Sequence, residues 1–132
     1  VICTDAFVGK PWRLGATGPD AYDCWGLVLV GMRDLFGRDI PDLVDHLTIA
    51  SVVETPDIAR AALATKRWQW VPLPEAGLVI ALRDMYGAVR HVGLCVGCDM
   101  VLHTRRGYGA RLEPLRLVEA PWAEGRFYRW AP

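Results

Sequence analysis

Charge of one sign is missing from this chain: 15 Lys and Arg balance 15 Asp and Glu, for a formal net charge of zero over 132 residues. A protein that grips a polyanion needs a basic excess, so nucleic acid is not an expected partner. Short basic pairs such as Arg105-Arg106 read as solvated turns. Long apolar runs are missing too. None approaches the roughly 20 residues that a helix needs to cross a bilayer, and no membrane insertion is expected. Cysteine is sparse, with four residues, while apolar residues make up 52% of the chain. A core of that size does not depend on disulfides, which argues against a small disulfide-stapled scaffold. Internal repeats, linkers and low-complexity stretches are absent, and the length suits one domain over residues 1–132.

What is present divides into two halves. Up to Asp20 the chain reads as loop, punctuated by Gly9, Pro11, Gly15, Gly18 and Pro19, with a short helix expected near Asp5 to Gly9. The strongest helix follows. Cys24, Leu27, Val28, Gly31, Met32, Leu35 and Phe36 form an apolar or small stripe at i, i+3, i+4 spacing. Asp23 stands as its N-cap and Gly37 as its stop. Asp42 to Val53 is expected to be partly helical. Thr55-Pro56-Asp57 opens a further helix to about Arg67. After Pro74 the period becomes that of strands: Leu78 to Leu82, Val89 to Val96, Met100 to Thr104, Arg111 to Val118 and Arg126 to Trp130. Helices first and sheet second imply an α+β domain, with N-terminal helices on one face of a mostly antiparallel sheet of about five strands. Of the six Trp, Trp68, Trp70 and Trp122 read as fillers at the core edge.

Cys24 is the leading chemical candidate. It lies on the first turn of the strongest helix, where unpaired backbone N–H groups favour a thiolate over a thiol. The stripe aims it at the sheet. His91 and His103 flank an expected hairpin. A three-residue loop at Gly97-Cys98-Asp99 pairs residues whose numbers sum to 196, which sets His103 opposite Gly93 and on the same face as His91. A two-residue loop would separate the two rings. His46 has no such company and reads as surface.

Two chemistries compete for these residues. In one, Cys24 attacks a carbonyl, His91 takes the thiol proton, and His103 orients His91. In the other, His91, Cys95, Cys98 and His103 hold zinc. The spacing matches no common zinc signature, and an extended strand puts His91 and Cys95 about 13 Å apart at roughly 3.3 Å per residue. A Cys95–Cys98 redox pair lacks the helix start that activates such thiols. The simplest reading is one buried strand cysteine and one turn cysteine, with no metal and no cofactor.

Gly9-Lys10-Pro11-Trp12, Tyr22-Asp23-Cys24-Trp25-Gly26-Leu27-Val28, Arg90-His91-Val92-Gly93-Leu94 and Met100-Val101-Leu102-His103 together resemble the NlpC-type cysteine peptidases. These are compact papain-like enzymes that cut peptide stems of the bacterial cell wall. The resemblance runs from about Phe7 to His103. It implies Cys24 as nucleophile, His91 as general base and His103 as polar third member. It places Trp12 where the family usually has a Tyr that helps hold the oxyanion or position the Cys. It places Asp23 as the helix cap near the substrate's free amine. Cell-wall members usually carry Ser after the Cys and Gly-Asp before the sheet, where this chain has Trp25 and Gly77-Leu78. Trp25 bears on the stem-peptide subsite and resembles the variant of long-tailed phage tail proteins. The implied function is a phage tail-tip peptidase acting on peptidoglycan stem peptides at the host wall or periplasm, with other tail-tip proteins as partners. The alternatives are a structural tail-tip component that keeps the fold with little activity, and a zinc-binding hairpin module.

Overall fold

The computed structural model describes residues 2–40 and 67–131. Helix α1 spans Cys24–Phe36, where the stripe places it. Asp23 caps it by accepting a hydrogen bond from the Gly26 N–H. Gly37 ends it in the left-handed region at φ 63°, and the Arg38 N–H reaches back to the Met32 carbonyl in a Schellman turn.

Among the described residues the sheet has six strands: β1 Trp68–Val71, β2 Val79–Arg83, β3 Val89–Gly97, β4 Met100–Arg105, β5 Gly109–Pro114 and β6 Glu124–Trp130. Their order is β1-β6-β2-β3-β4-β5, with every described pair antiparallel. The sixth strand is β1, which pairs Trp68 with Trp130. Arg111 to Val118 is not a single strand. The ladder ends at Pro114, which has no N–H to donate, and the short helix α2, Leu115–Glu119, follows. Asp5 to Gly9 forms hydrogen-bonded turns rather than a helix, with the Thr4 carbonyl accepting from both Phe7 and Val8. The helical segments expected between Asp42 and Lys66, together with His46, lie outside the described residues.

Alternation along β2 buries both faces of the sheet. Val79 and Ala81 join Val28, Met32, Val92 and Leu94 under α1. Ile80 and Leu82 join Val101, Val118 and Phe127 on the opposite face, beneath α2 and Trp122. Gly31 lets α1 close on the sheet, since a Cβ there would lie 2.6 Å from Leu94 Cδ2. Among the described residues no helix is long and apolar enough to cross a membrane.

The β3–β4 hairpin keeps the expected register by another route. Leu94 pairs with Leu102 and Cys95 with Val101, as the sum of 196 requires. The tip, however, is a two-residue turn with Cys98 and Asp99 both at positive φ, 54° and 55°. That is the primed turn whose twist suits a hairpin. A bulge between Cys95 and Gly97 absorbs the extra residue and restores the register.

Candidate active site

Pairing between β3 and β4 runs only from the hairpin tip to Leu94–Leu102. Beyond that point no ladder pair joins them among the described residues, and α1 packs against both strands. A cleft of about 230 Å³ opens there, lined by residues that include Trp12, Asp23, Cys24, His91, Thr104 and Trp122. The fold thus brings four expected site residues, Trp12, Asp23, Cys24 and His91, to one place. His103 stands just behind and is 2% exposed. Its Nδ1 is hydrogen-bonded to His91 Nε2 at 2.9 Å. Gly93 makes this possible, because a Cβ there would lie 3.3 Å from His103 Cβ and 2.7 Å from Val101 Cγ1.

The thiol differs from expectation in its electrostatics. Cys24 is 4% exposed. Burial, and then the neighbouring Asp23 carboxylate, push its pKa up to about 12. Backbone N–H groups of Val92, Trp25 and Cys24 itself pull the other way without prevailing. The helix start therefore does not yield a resting thiolate, because desolvation outweighs it. Burial likewise pushes His91 down to about 3, aided by His103 and Arg105. His103 also falls below its ordinary value through burial, although Glu113 opposes that. Burial thus favours the neutral thiol and the neutral imidazole, with no Cys24–His91 hydrogen bond among the described residues.

Asp23 spends both carboxylate oxygens on the backbone. One accepts from Gly26 N–H and the other from Gly15 N–H, each at 2.7 Å, which ties the entry loop to the start of α1. Trp12 sits on the cleft wall with the Arg106 guanidinium 4.7 Å above its ring. Trp25, expected at the substrate subsite, is a core residue instead. It is buried under α1 and packs edge-to-face on Trp68, because its place in the first turn faces β1 rather than the opening.

Four features escaped the sequence reading. Trp122 stacks on His91 with ring centroids 6.1 Å apart. Thr104 lines the cleft with a buried hydroxyl that has no hydrogen-bond partner among the described residues. Arg105 and Arg106 line the mouth, as does Arg90, which is paired with Asp84 at 3.0 Å. Glu113 Oε1 lies 3.0 Å from His103 Nε2 and also accepts from the Tyr108 hydroxyl. Only Glu113 had a usable signal. A three-residue turn at Arg106-Gly107-Tyr108 places it diagonally across β5 from His103.

The four residues considered for zinc are not gathered. His91 and His103 bond to one another, Cys95 is buried in the cluster under α2, and Cys98 is exposed at the hairpin tip. Among the described residues no group of His, Cys, Asp and Glu is placed to hold a metal ion.

Residues 9–125 match the model of the NlpC/P60 family. The chain belongs to that family. No curated protein matches the sequence. Among solved structures, it is similar to the NlpC/p60 domain of the peptidoglycan hydrolase SagA, at 17% identity and a TM-score of 0.57, over 95% of this chain and 89% of that one. It is also similar to NlpC2 of Trichomonas vaginalis, at 20% identity and a TM-score of 0.63, over 96% of this chain. NlpC1 of the same organism gives 20% identity and a TM-score of 0.58, again over 96% of this chain. The match spans 43% of the NlpC2 chain and 40% of the NlpC1 chain, so this chain corresponds to less than half of either. At these identities the likeness is one of fold, and it agrees with the helix-on-antiparallel-sheet architecture.

Proposed function

We propose that this NlpC/P60 chain is a cysteine peptidase that hydrolyses peptidoglycan stem peptides. The observation that carries the reading is one cleft lined by Cys24 and His91, with His91 Nε2 held by His103 at 2.9 Å. The thiol proton passes to His91 Nδ1 as sulfur attacks the peptide carbonyl and the S–C bond forms. Backbone N–H at the start of α1, with the Trp12 indole on the cleft wall, serves the developing oxyanion. Collapse breaks the C–N bond, and the proton on Nδ1 leaves with the amine. Water then attacks the thioester and gives a proton to Nδ1. Cleavage of S–C returns that proton to the sulfur.

Arg105 and Arg106 at the mouth suit the carboxylates of a stem peptide. The Asp23 carboxylate at the same cleft suits the free amine. The bond joining D-glutamate to the third-position diamino acid is the proposed target. The proposed setting is a phage tail tip, among other tail proteins, acting at the host wall or periplasm. Its support is Trp25, which follows the nucleophile in place of the Ser of ordinary wall-cutting members. The test is to incubate the protein with purified sacculi and measure new amino ends and released fragments. Activity is expected to vanish in Cys24→Ala, and full activity in that variant rejects the mechanism.

A second reading, a tail component with the fold and little turnover, is favoured by the buried thiol pushed up to about 12. Thiol labelling read residue by residue separates the two. A Cys24 that stays unlabelled at neutral pH in the presence of wall fragments, while exposed Cys3 and Cys98 react, favours the structural role.

A further inference from the structure

The relay does not stop at His103. We propose that Glu113 is a positioning residue that fixes the tautomers of His103 and His91, and so leaves the His91 lone pair on Nδ1. The argument is one of donors and acceptors. A carboxylate accepts and does not donate, so the His103 nitrogen facing Glu113 at 3.0 Å, Nε2, carries the proton. A neutral imidazole has one donor and one acceptor, so His103 Nδ1 is the acceptor. His91 Nε2, 2.9 Å from it, must then donate. The lone pair of His91 is thereby assigned to Nδ1, the nitrogen that does not face His103. Reversing the terminal acceptor would reverse each step and put a proton on the nitrogen that has to accept one.

Three observations support this arrangement. Burial pushes both imidazoles below their ordinary values, which favours the neutral forms that this chain of donors and acceptors needs. Tyr108 donates to the same oxygen of Glu113 at 3.3 Å, which holds the carboxylate in its orientation. The Trp122 ring lies nearly parallel to His91, at 18°, and limits reorientation of that ring. Glu113 is on β5, outside the cleft wall, and acts only through His103.

The consequence for turnover rests on the peptidase reading above, whereas the tautomer assignment does not. The experiment is long-range proton–nitrogen correlation spectroscopy on histidine-labelled full chain, with melting curves and sacculus turnover on the same samples. Wild type is expected to show His91 and His103 both protonated at Nε2. Glu113→Leu removes the acceptor, so the Nδ1-protonated form should appear in both rings and kcat should fall about tenfold to a hundredfold with little change in KM. Glu113→Gln keeps an oxygen toward Tyr108 and His103, and should restore the wild-type tautomers and most of the rate. A wild-type tautomer spectrum in a folded Glu113→Leu variant overturns the proposal, whatever its turnover. Absence of turnover in wild type rejects the peptidase reading, while the spectra still decide the role of Glu113.

Discussion

Replacing Thr104 with Val tests whether the cleft holds a polar group in reserve for a ligand. The Thr104 side chain is 0% exposed, and its hydroxyl has no hydrogen-bond partner among the described residues. A buried hydroxyl left unpaired costs about 1–3 kcal/mol, and Val keeps the shape while removing that group. The variant should therefore be more stable by about 1–2 kcal/mol. For a chain of this length that is a rise in Tm of roughly 3–8 °C. The same change removes a donor and acceptor from the wall that Thr104 shares with Cys24 and His91. A substrate hydrogen bond worth about 1.4 kcal/mol in the transition state would cost about tenfold in kcat/KM. The assay pairs calorimetric melts with hydrolysis of sacculi. A fall in Tm refutes the reasoning, because the hydroxyl would then have a partner in the folded state. A rise in Tm with unchanged kcat/KM keeps the stability argument and removes Thr104 from substrate contact.

Three further outcomes follow from the packing and the histidine pair. Gly93→Ala should lose about 1–3 kcal/mol by overpacking against Val101 and His103, read by urea denaturation, and unchanged stability would mean that β3 and β4 part freely. Trp25→Ala should cost about 3–5 kcal/mol as a core truncation, and a loss below about 1 kcal/mol with an altered KM would return Trp25 to the cleft. Stability should also fall with acid. The folded His91 pKa is about 3 and the unfolded value 6.5, so the unfolded chain binds the extra proton between them. His91 thus contributes fully above about pH 6.5 and loses its contribution as pH drops toward 3. From pH 7.5 to 5 that loss is about 2 kcal/mol, and it should shrink in His91→Gln; an equal loss in both proteins rejects the assignment.

The sequence was most legible where one local rule decides. Asp23 and Gly37 mark both ends of α1, because capping is a property of a few consecutive residues. The β3–β4 register was legible as well, although the turn was not. A two-residue tip plus a bulge gives the same pairing as a three-residue loop, and sequence arithmetic does not tell them apart. The Cys24 thiol was misread for a different reason. The helix start is local and readable, but burial comes from α1 closing on the sheet at Gly31 and Leu94, and burial is the larger effect. Trp25 was misplaced likewise, since its partner Trp68 lies on a strand at the far edge of the sheet. Glu113 was legible only through the second hairpin, whose β4–β5 register pairs His103 with Arg111 and sets Glu113 diagonal to it.

A neutral pair at the centre changes what the surrounding residues have to do. With a resting thiolate, binding alone would bring a ready nucleophile to the carbonyl. With the thiol pushed up to about 12 and the imidazole down to about 3, charge separation inside the cleft is unfavourable until something stabilises it. In the proposed peptidase, proton transfer and sulfur attack then belong to one event, in which the negative charge moves on to the substrate oxygen as it leaves the sulfur. The imidazolium formed at His91 needs an acceptor behind it. His103 provides that acceptor, and Glu113 behind His103 supplies the negative charge that neither ring has. Arg105 works against an imidazolium at both histidines, and the Glu113 carboxylate opposes it at His103. On the proposed peptidase reading, the site is therefore set to ionise in the transition state rather than before it.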